Sequence, residues 1–377
     1  MKNFVKLIKQ VHAEKFSFVL KKILSKKIPV AFISAASISQ AIETTKTFRA
    51  QGLNVTTLFV VDRAPAPACL AFDIIHVKDA ANFFSQPEYI FANDLTAAGV
   101  ALEKFPASKL LFVGNNTDEI YETFMAHLDD LQEVYESLLD EESKKVFRGY
   151  WLGNISNRLD KIVYANTPHY ICAGFLPERG AVVIDGGLCD GGTALRFSQM
   201  GYEVYGFEMD RINYERTLKV AEEKNFVLEN FGLGSYKHTA RYNVLGHSGN
   251  KLNGNGAQTV PVTTIDAYVR EKNLPRVDFI KMDVEGAELD ILKGAATTIA
   301  RYKPILALSA YHKWDDFWTL SKFIKSIRPD YEFALRQSYE TPEEEPANFP
   351  NGVVEYLTRL GLEPDSRNFF ECVLFAR

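Results

Sequence analysis

Carboxylates and glycines crowd together twice in this sequence, each time directly after a short apolar run. Val182-Val183-Ile184 leads into Asp185-Gly186-Gly187-Leu188-Cys189-Asp190-Gly191-Gly192-Thr193. Val277-Asp278-Phe279-Ile280 leads into Lys281-Met282-Asp283-Val284-Glu285-Gly286-Ala287-Glu288. Glycines let a backbone approach a ligand closely, and ionised acids are acceptors with negative charge. The first loop suits a ligand with cationic groups, because Asp185 and Asp190 would repel a pyrophosphate. Its D-G-G-x-x-D-G-G spacing also departs from the G-x-G-x-x-G of dinucleotide sites. The second segment offers proton removal from a weak nucleophile such as an alcohol, which calls for a positioned base. Lys281 and Asp283 would share one face of a strand, with Glu285 just beyond. These acids could instead hold a divalent metal, but no cluster of histidines accompanies them, and no metal is expected.

Glu208 ends the run Val204-Tyr205-Gly206-Phe207. An acid at about that interval, ~20 residues past the first loop, accepts hydrogen bonds from ribose hydroxyls in nucleoside-binding α/β proteins. Met209 and Asp210 would then line an adenosine, and Phe231-Gly232-Leu233-Gly234 would pass beside its base. Further on, Pro304 to Ser309 runs into Ala310-Tyr311-His312-Lys313. This puts His312 at the same strand end as Asp283, with histidine the usual base near neutral pH.

Parallel strands deliver ligand loops at their carboxyl ends, so both loops require a doubly wound α/β sheet. Strands are expected at 181–185, 203–207, 226–229, 277–283, 304–309, 331–337 and 369–375, with helices after most of them. Glu340-Thr341-Pro342-Glu343-Glu344-Glu345-Pro346 separates the last two and reads as a loop. An earlier α/β pattern has strands at 28–33, 55–61, 73–77 and 109–113 and a helix at 37–50. Its second strand ends at Asp62, the outline of a dinucleotide unit. Its turn, Ser34-Ala35-Ala36-Ser37-Ile38-Ser39, has no glycine, so it reads as a degenerate Rossmann-like domain. The expected division is 1–117 for that domain and its leading helix, 118–150 for a helical linking region, and 151–377 for the domain with the two loops.

An apolar share of 46% and a charged share of 24% are those of a globular protein, not a disordered one. A net charge of −5 lacks the basic footprint of a nucleic-acid binder. Cys69, Cys172, Cys189 and Cys372 are scattered, which fits a reducing cytoplasm. Residues 1–27 hold eight lysines and a single acid, Glu14, among apolar residues. Such a segment either contacts a membrane surface weakly or packs its apolar face on the protein, and the second is expected. No run approaches the ~20 apolar residues of a membrane span.

At these residues the chain resembles the FkbM family of S-adenosylmethionine-dependent methyltransferases. The resemblance is most specific over Val277 to Gly294, VDFIKMDVEGAELDILKG. It extends to Val260-Pro261-Val262-Thr263-Thr264-Ile265-Asp266, to the Asp185 loop and to the segment ending in His312 and Lys313. It implies a class I methyltransferase fold, a seven-stranded sheet with its last strand antiparallel, over roughly 180–377. It also implies methyl transfer to a hydroxyl of a saccharide or secondary metabolite. By position, Asp185, Gly187, Asp190 and Glu208 match the family's cofactor motifs, and Asp283 and Glu285 match its acidic segment. The sequence reading assigns cofactor contact to Asp185, Gly186, Gly187, Asp190, Gly191, Thr193, Glu208, Met209, Asp210, Gly232 and Leu233. It assigns catalysis to Asp283, His312, Lys281 and Glu285. The competing readings are an NAD(P)-dependent oxidoreductase, disfavoured by the missing glycine motif, and a non-catalytic cofactor-binding scaffold in a glycan-assembly complex. Acceptor identity and oligomeric state are not legible in the sequence.

Overall fold

Val30–Ser34 (β1) is buried at every residue, the pattern of a strand covered on both faces of a parallel sheet. The computed structural model describes residues 1–13, 16–61, 71–76, 87–92, 97, 101, 104–105, 107–112, 117–156, 163, 168–224, 226–243, 256–337 and 371–377. Helices Lys2–Ala13 (α1) and Phe16–Lys26 (α2) precede β1, and Ile38–Ala50 (α3) follows it. Val55–Val60 (β2), Asp73–His76 (β3), Tyr89–Ala92 (β4) and Lys109–Phe112 (β5) complete a parallel sheet in the order β3-β2-β1-β4-β5. β4 was not among the expected strands, because periodicity cannot identify so short an apolar run. In the glycine-free turn, Ser37 Oγ donates to Gln40 Oε1 at 2.8 Å. Asp62 lies outside the described residues.

Thr117–Ala126 (α4), Leu128–Ser137 (α5) and Glu141–Ser156 (α6) follow. Phe4 and Ile8 of α1 are buried while Lys2, Lys6 and Lys9 are exposed. The Phe4 ring meets Phe124 edge-on at 5.9 Å, and Phe124 meets Trp151 at 5.2 Å. The apolar face of the lysine-rich α1 therefore has a protein partner.

The chain forms two compact units. Among the described residues the first takes those up to 127 and 146–163, and the second takes 128–145, 168–337 and 371–377. Residues 118–150, expected as one linking region ahead of a boundary at 151, are thus divided between the units. Hydrogen bonds explain the share that joins the second unit. Leu139 N donates to Phe333 O at 2.8 Å, Leu335 N donates to Ser143 Oγ at 3.0 Å, and Arg336 pairs with Asp140 at 2.8 Å.

The second unit is built on Val182–Gly186 (β6), Gly192–Gln199 (α7), Glu203–Phe207 (β7), Arg211–Lys224 (α8) and Val227–Glu229 (β8). Next come Gly232–Leu233 (β9), His238–Tyr242 (β10), Gln258–Thr263 (β11), Ile265–Glu271 (α9) and Phe279–Met282 (β12). The chain continues with Glu288–Lys293 (α10), Ala296–Tyr302 (α11), Ile305–Ser309 (β13), Asp316–Ile327 (α12), Phe333–Arg336 (β14) and Val373–Ala376 (β15). The described strands form a seven-stranded sheet in the order β14-β15-β13-β12-β6-β7-β8. β15 alone runs opposite to the other six strands. This is the doubly wound α/β architecture expected from the sequence. Its core holds Val183, Phe197, Val204, Phe279, Ala307 and Phe375.

A second sheet, β10-β11-β9, was not anticipated. Its period-2 signal is present, with Ala240 opposite Val260, Tyr242 opposite Gln258, and Ala240 and Tyr242 buried alternately with exposed neighbours, but a proline within the run, Pro261, works against a strand assignment. The acidic stretch 340–346 lies outside the described residues. No helix among the described residues is long and apolar enough to cross a membrane.

Candidate active site

β6 and β12 are hydrogen-bonded neighbours, with Asp185 opposite Lys281 and Gly186 opposite Met282. Lys281 Nζ lies 3.0 Å from Asp185 Oδ1 and donates to Gly187 O at 2.7 Å. The two side chains are 3% and 0% exposed, so each charge depends on the other for compensation. Burial works against the ammonium, but the charges of Asp185 and Asp283 hold its pKa above the usual lysine value. Lys281, expected among the catalytic residues, therefore has its ammonium committed to Asp185 and the glycine loop. Asp185, expected to touch a ligand, is fully buried and acts through Lys281 as a positioning residue.

The two loops meet through their backbones. Asp283 N donates to Gly186 O at 3.0 Å. Gly187 has φ 80°, and a Cβ on it would fall 1.7 Å from Asp283 O. Gly191, φ 85°, sits at the start of α7, and Asp190 Oδ1 accepts from Gly192 N at 3.0 Å. Asp190, just before α7, is exposed, and Thr193 in its first turn is half-buried.

Glu208, directly after β7, is 6% exposed. Its carboxylate accepts from Cys189 N and from Asp210 N, both at 2.7 Å, which ties the glycine loop to the neighbouring strand. Burial pushes its pKa up to about 7 in spite of these two donors. Asn230 Nδ2 donates to Glu208 O at 2.8 Å and fixes the backbone there. Asp210, expected to line an adenosine, has its carboxylate turned into the protein. It is fully buried and accepts from Ile212 N at 2.8 Å and Asn213 N at 3.1 Å, capping α8. Met209 between them is half-buried. Gly232 and Leu233 are buried, and Leu233 Cδ1 lies 3.1 Å from where a Cβ on Gly186 would be, which places it against the loop.

Asp283 lies just past β12 rather than on it, so it does not share the strand face of Lys281. Its carboxylate is held from two sides, with Tyr170 OH donating to Oδ2 at 2.7 Å and Tyr311 OH donating to Oδ1 at 3.4 Å. Tyr170 is buried at φ 60°, and its hydroxyl also meets Ser309 Oγ at 2.9 Å. Burial would raise the Asp283 pKa. The charges of Lys281 and His312 and the Tyr170 hydrogen bond win, and it sits below the usual value.

His312 follows β13, as expected, and its Nε2 lies 3.5 Å from Asp283 Oδ1 and 3.7 Å from Glu285 Oε2. Glu285 holds φ 57° in the tight connection to α10. The other ring nitrogen, Nδ1, is 2.8 Å from Glu288 Oε1. Burial alone would lower the His312 pKa, but Glu288, Asp283 and Glu285 together raise it.

Sequence reasoning missed Tyr170, Glu288 as a partner of His312, Tyr311 and Asn230. Glu288 also occupies the first turn of α10. Nothing local marks Tyr170, which reaches Asp283 from a turn before β6. Tyr311 was adjacent to a residue already singled out, and that adjacency was a usable signal.

Residues 185–344 match the sequence pattern of the methyltransferase FkbM domain. This part of the chain is an FkbM methyltransferase domain. The chain also shares its fold with a methyltransferase FkbM from Methylobacillus flagellatus, at 18% identity and a TM-score of 0.63. That alignment spans 95% of this chain and 93% of the other. A Thermus thermophilus 16S rRNA N2 G1207 methyltransferase solved with S-adenosylmethionine and guanosine aligns at 11% identity. It covers 80% of this chain and 84% of its own, with a TM-score of only 0.24. No curated protein matches the sequence.

Proposed function

We propose that this FkbM domain binds S-adenosylmethionine and moves its methyl group to a hydroxyl of a small-molecule or saccharide acceptor. One observation carries the reading. The glycine loop is fastened on one side to the buried carboxylate of Glu208 and on the other to the backbone of Asp283. The donor set fits the cofactor. Asp190, Glu208, Asp283 and Glu285 stand at the strand ends, and the ammonium of Lys281 is neutralised by Asp185. Such a surface favours a cationic sulfonium and ammonium and repels the pyrophosphate of a nicotinamide dinucleotide. Glu208 and Met209 would hold the ribose side, and Gly186, Gly187, Asp190, Gly191, Thr193, Gly232 and Leu233 the loop side. When bound, the cofactor supplies an electrophilic methyl group.

The chain's own residues do the rest. Asp283, kept ionised by Lys281, His312 and Tyr170, accepts the hydrogen bond of the acceptor hydroxyl, aims its oxygen along the line of displacement and takes its proton as the methyl transfers, with the thioether as leaving group. His312 and Glu285 complete the polar wall on that side. The test is thermal unfolding with S-adenosylmethionine, S-adenosylhomocysteine, NADH or no addition. A ligand at about one hundred times its dissociation constant adds ~2.7 kcal/mol. We expect stabilisation by the two adenosyl compounds alone, whereas stabilisation by NADH alone would refute the reading. Asp283→Asn should retain S-adenosylhomocysteine binding and lower turnover of a hydroxyl acceptor by about 10²–10⁴-fold. Unchanged turnover would move the base elsewhere.

Cofactor affinity should also depend on pH. Ribose hydroxyls donate to a carboxylate, so binding needs Glu208 ionised, and its pKa in the free protein is about 7. Affinity for S-adenosylhomocysteine should strengthen from pH 6 to 8, at up to about tenfold per unit below the pKa. Glu208→Gln should flatten that profile, and a flat wild-type profile measured by calorimetry would remove Glu208 from the ribose. The stability of the ligand-free protein runs the other way. Between 4.5 and about 7 the folded state keeps a proton on Glu208 that the unfolded chain has lost, so this contribution is lost as pH rises through that window.

A further inference from the structure

The connection from β12 into α10 holds three carboxylates, and the segment after β13 brings one imidazole to them from a distant part of the sequence. Donor atoms of Asp283, Glu288 and His312 lie within 4.8 Å of one another. His312 Nε2 is the focus. The side chain is 6% exposed, and Nε2 is buried and makes no hydrogen bond. It is aimed between two carboxylates, 3.5 Å from Asp283 Oδ1 and 3.7 Å from Glu285 Oε2. Neither distance is a hydrogen bond. Both are close to the separation of two donors that share a cation at ~2.1 Å each.

The opposite side of the ring carries the second feature. Nδ1 is 2.8 Å from Glu288 Oε1, and that oxygen also accepts from Val284 N at 3.1 Å and Gly286 N at 3.4 Å. With Glu288 on Nδ1 the ring keeps its proton on that side, and a cation would take the place of any proton on Nε2. A carboxylate behind a histidine is the usual support of a metal-bound imidazole. Tyr170 and Tyr311 orient Asp283 in the same way. The side chains of Asp283 and Glu285 are each 25% exposed, so one side of the cluster is open to water or to an incoming oxygen ligand.

We propose that His312 Nε2, Asp283 and Glu285 form a site for a divalent transition-metal cation, with Glu288 orienting the histidine from behind. One imidazole and two carboxylates suit Mn²⁺ or Zn²⁺ better than Mg²⁺ or Ca²⁺, which prefer oxygen donors throughout. The acids able to hold a metal were legible in the sequence, but no histidine stands beside them there, because His312 arrives from the end of a different strand. A cation there would offset the crowding of the carboxylates and polarise a hydroxyl oxygen on the open side. That consequence for methyl transfer rests on the function proposed above, whereas the binding itself does not.

The test is titration of chelator-treated protein with Mn²⁺, following loss of the free-ion electron paramagnetic resonance signal. S-adenosylhomocysteine binding is measured by calorimetry on the same samples, and circular dichroism reports folding. We expect one Mn²⁺ per chain, displaced by Zn²⁺. Glu288→Gln should weaken it about 10–100-fold, and His312→Gln or Glu285→Gln should weaken it at least as much while the protein stays folded. A folded protein that binds S-adenosylhomocysteine but no Mn²⁺ at about 1 mM overturns the metal site and leaves the methyltransferase reading standing. So does Mn²⁺ binding that His312→Gln and Glu288→Gln leave unchanged. Mn²⁺ uptake sensitive to these substitutions without S-adenosylhomocysteine binding supports the metal site and counts against the cofactor reading instead.

Discussion

Lys281→Met should cost the second unit about 3–5 kcal/mol of stability, the loss seen when one member of a buried ion pair is removed. The methionine fills most of the space, so packing is nearly conserved and the effect isolates the charge. What remains is the Asp185 carboxylate, fully buried beside a strand that no longer offers it a cation. The same substitution removes the donor to Gly187 O and loosens the loop that Lys281 holds. A chemical-denaturation midpoint measures the loss. The double variant Lys281→Met with Asp185→Asn should recover part of it, because no unpaired charge is then left behind. If Lys281→Met is as stable as the wild type to within about 1 kcal/mol, the pair is not a structural strut. Lys281 would then return to consideration as a catalytic group.

Gly187→Ala should lower affinity for S-adenosylhomocysteine by about 10²-fold or more. The methyl would sit 1.7 Å from the carbonyl oxygen of Asp283, and a backbone atom cannot swing aside as a side chain can. One of the two loops must move, and with it either the glycine turn or the acid beyond β12. The positive φ of Gly187 adds strain of its own. Gly180 provides the control, with φ 82° and nothing within 4 Å of an added Cβ. Gly180→Ala bears the backbone strain without the collision, so it should change stability modestly and binding hardly at all. Equal binding losses in the two variants would show that strain, not contact between the loops, sets the effect.

The pairing of the loops was legible in the chain because the physics that produces it is local. A fully buried parallel strand must be a continuous apolar run, and the residues that follow must leave the sheet at its carboxyl end. Val182–Gly186 and Phe279–Met282 announce themselves this way, and Asp185, Glu208 and Asp283 are legible as strand-end acids. The same argument located His312 beyond β13. Strands that lack a long apolar run were harder. Tyr89–Ala92 is four residues long, and the β9–β10–β11 sheet contains Pro261.

Individual roles were decided by the tertiary structure, because a role depends on which partner arrives from elsewhere. Lys281 and Asp185 are one residue pair across two strands, and only their register turns a candidate catalyst and a candidate ligand contact into a buried strut. Asp210 reads like an adenosine-side acid, but its carboxylate caps the start of α8. Tyr170 carries no signal in its own segment, yet it fixes Asp283 through a contact that spans much of the second unit's sequence. Hydrophobic runs and strand-end chemistry act over a few residues, so the main sheet, its two glycine-and-acid loops and the resemblance of the domain were legible in the chain alone. The state of each charge was left to the fold, because burial and neighbouring charge set it and both are properties of the assembled structure.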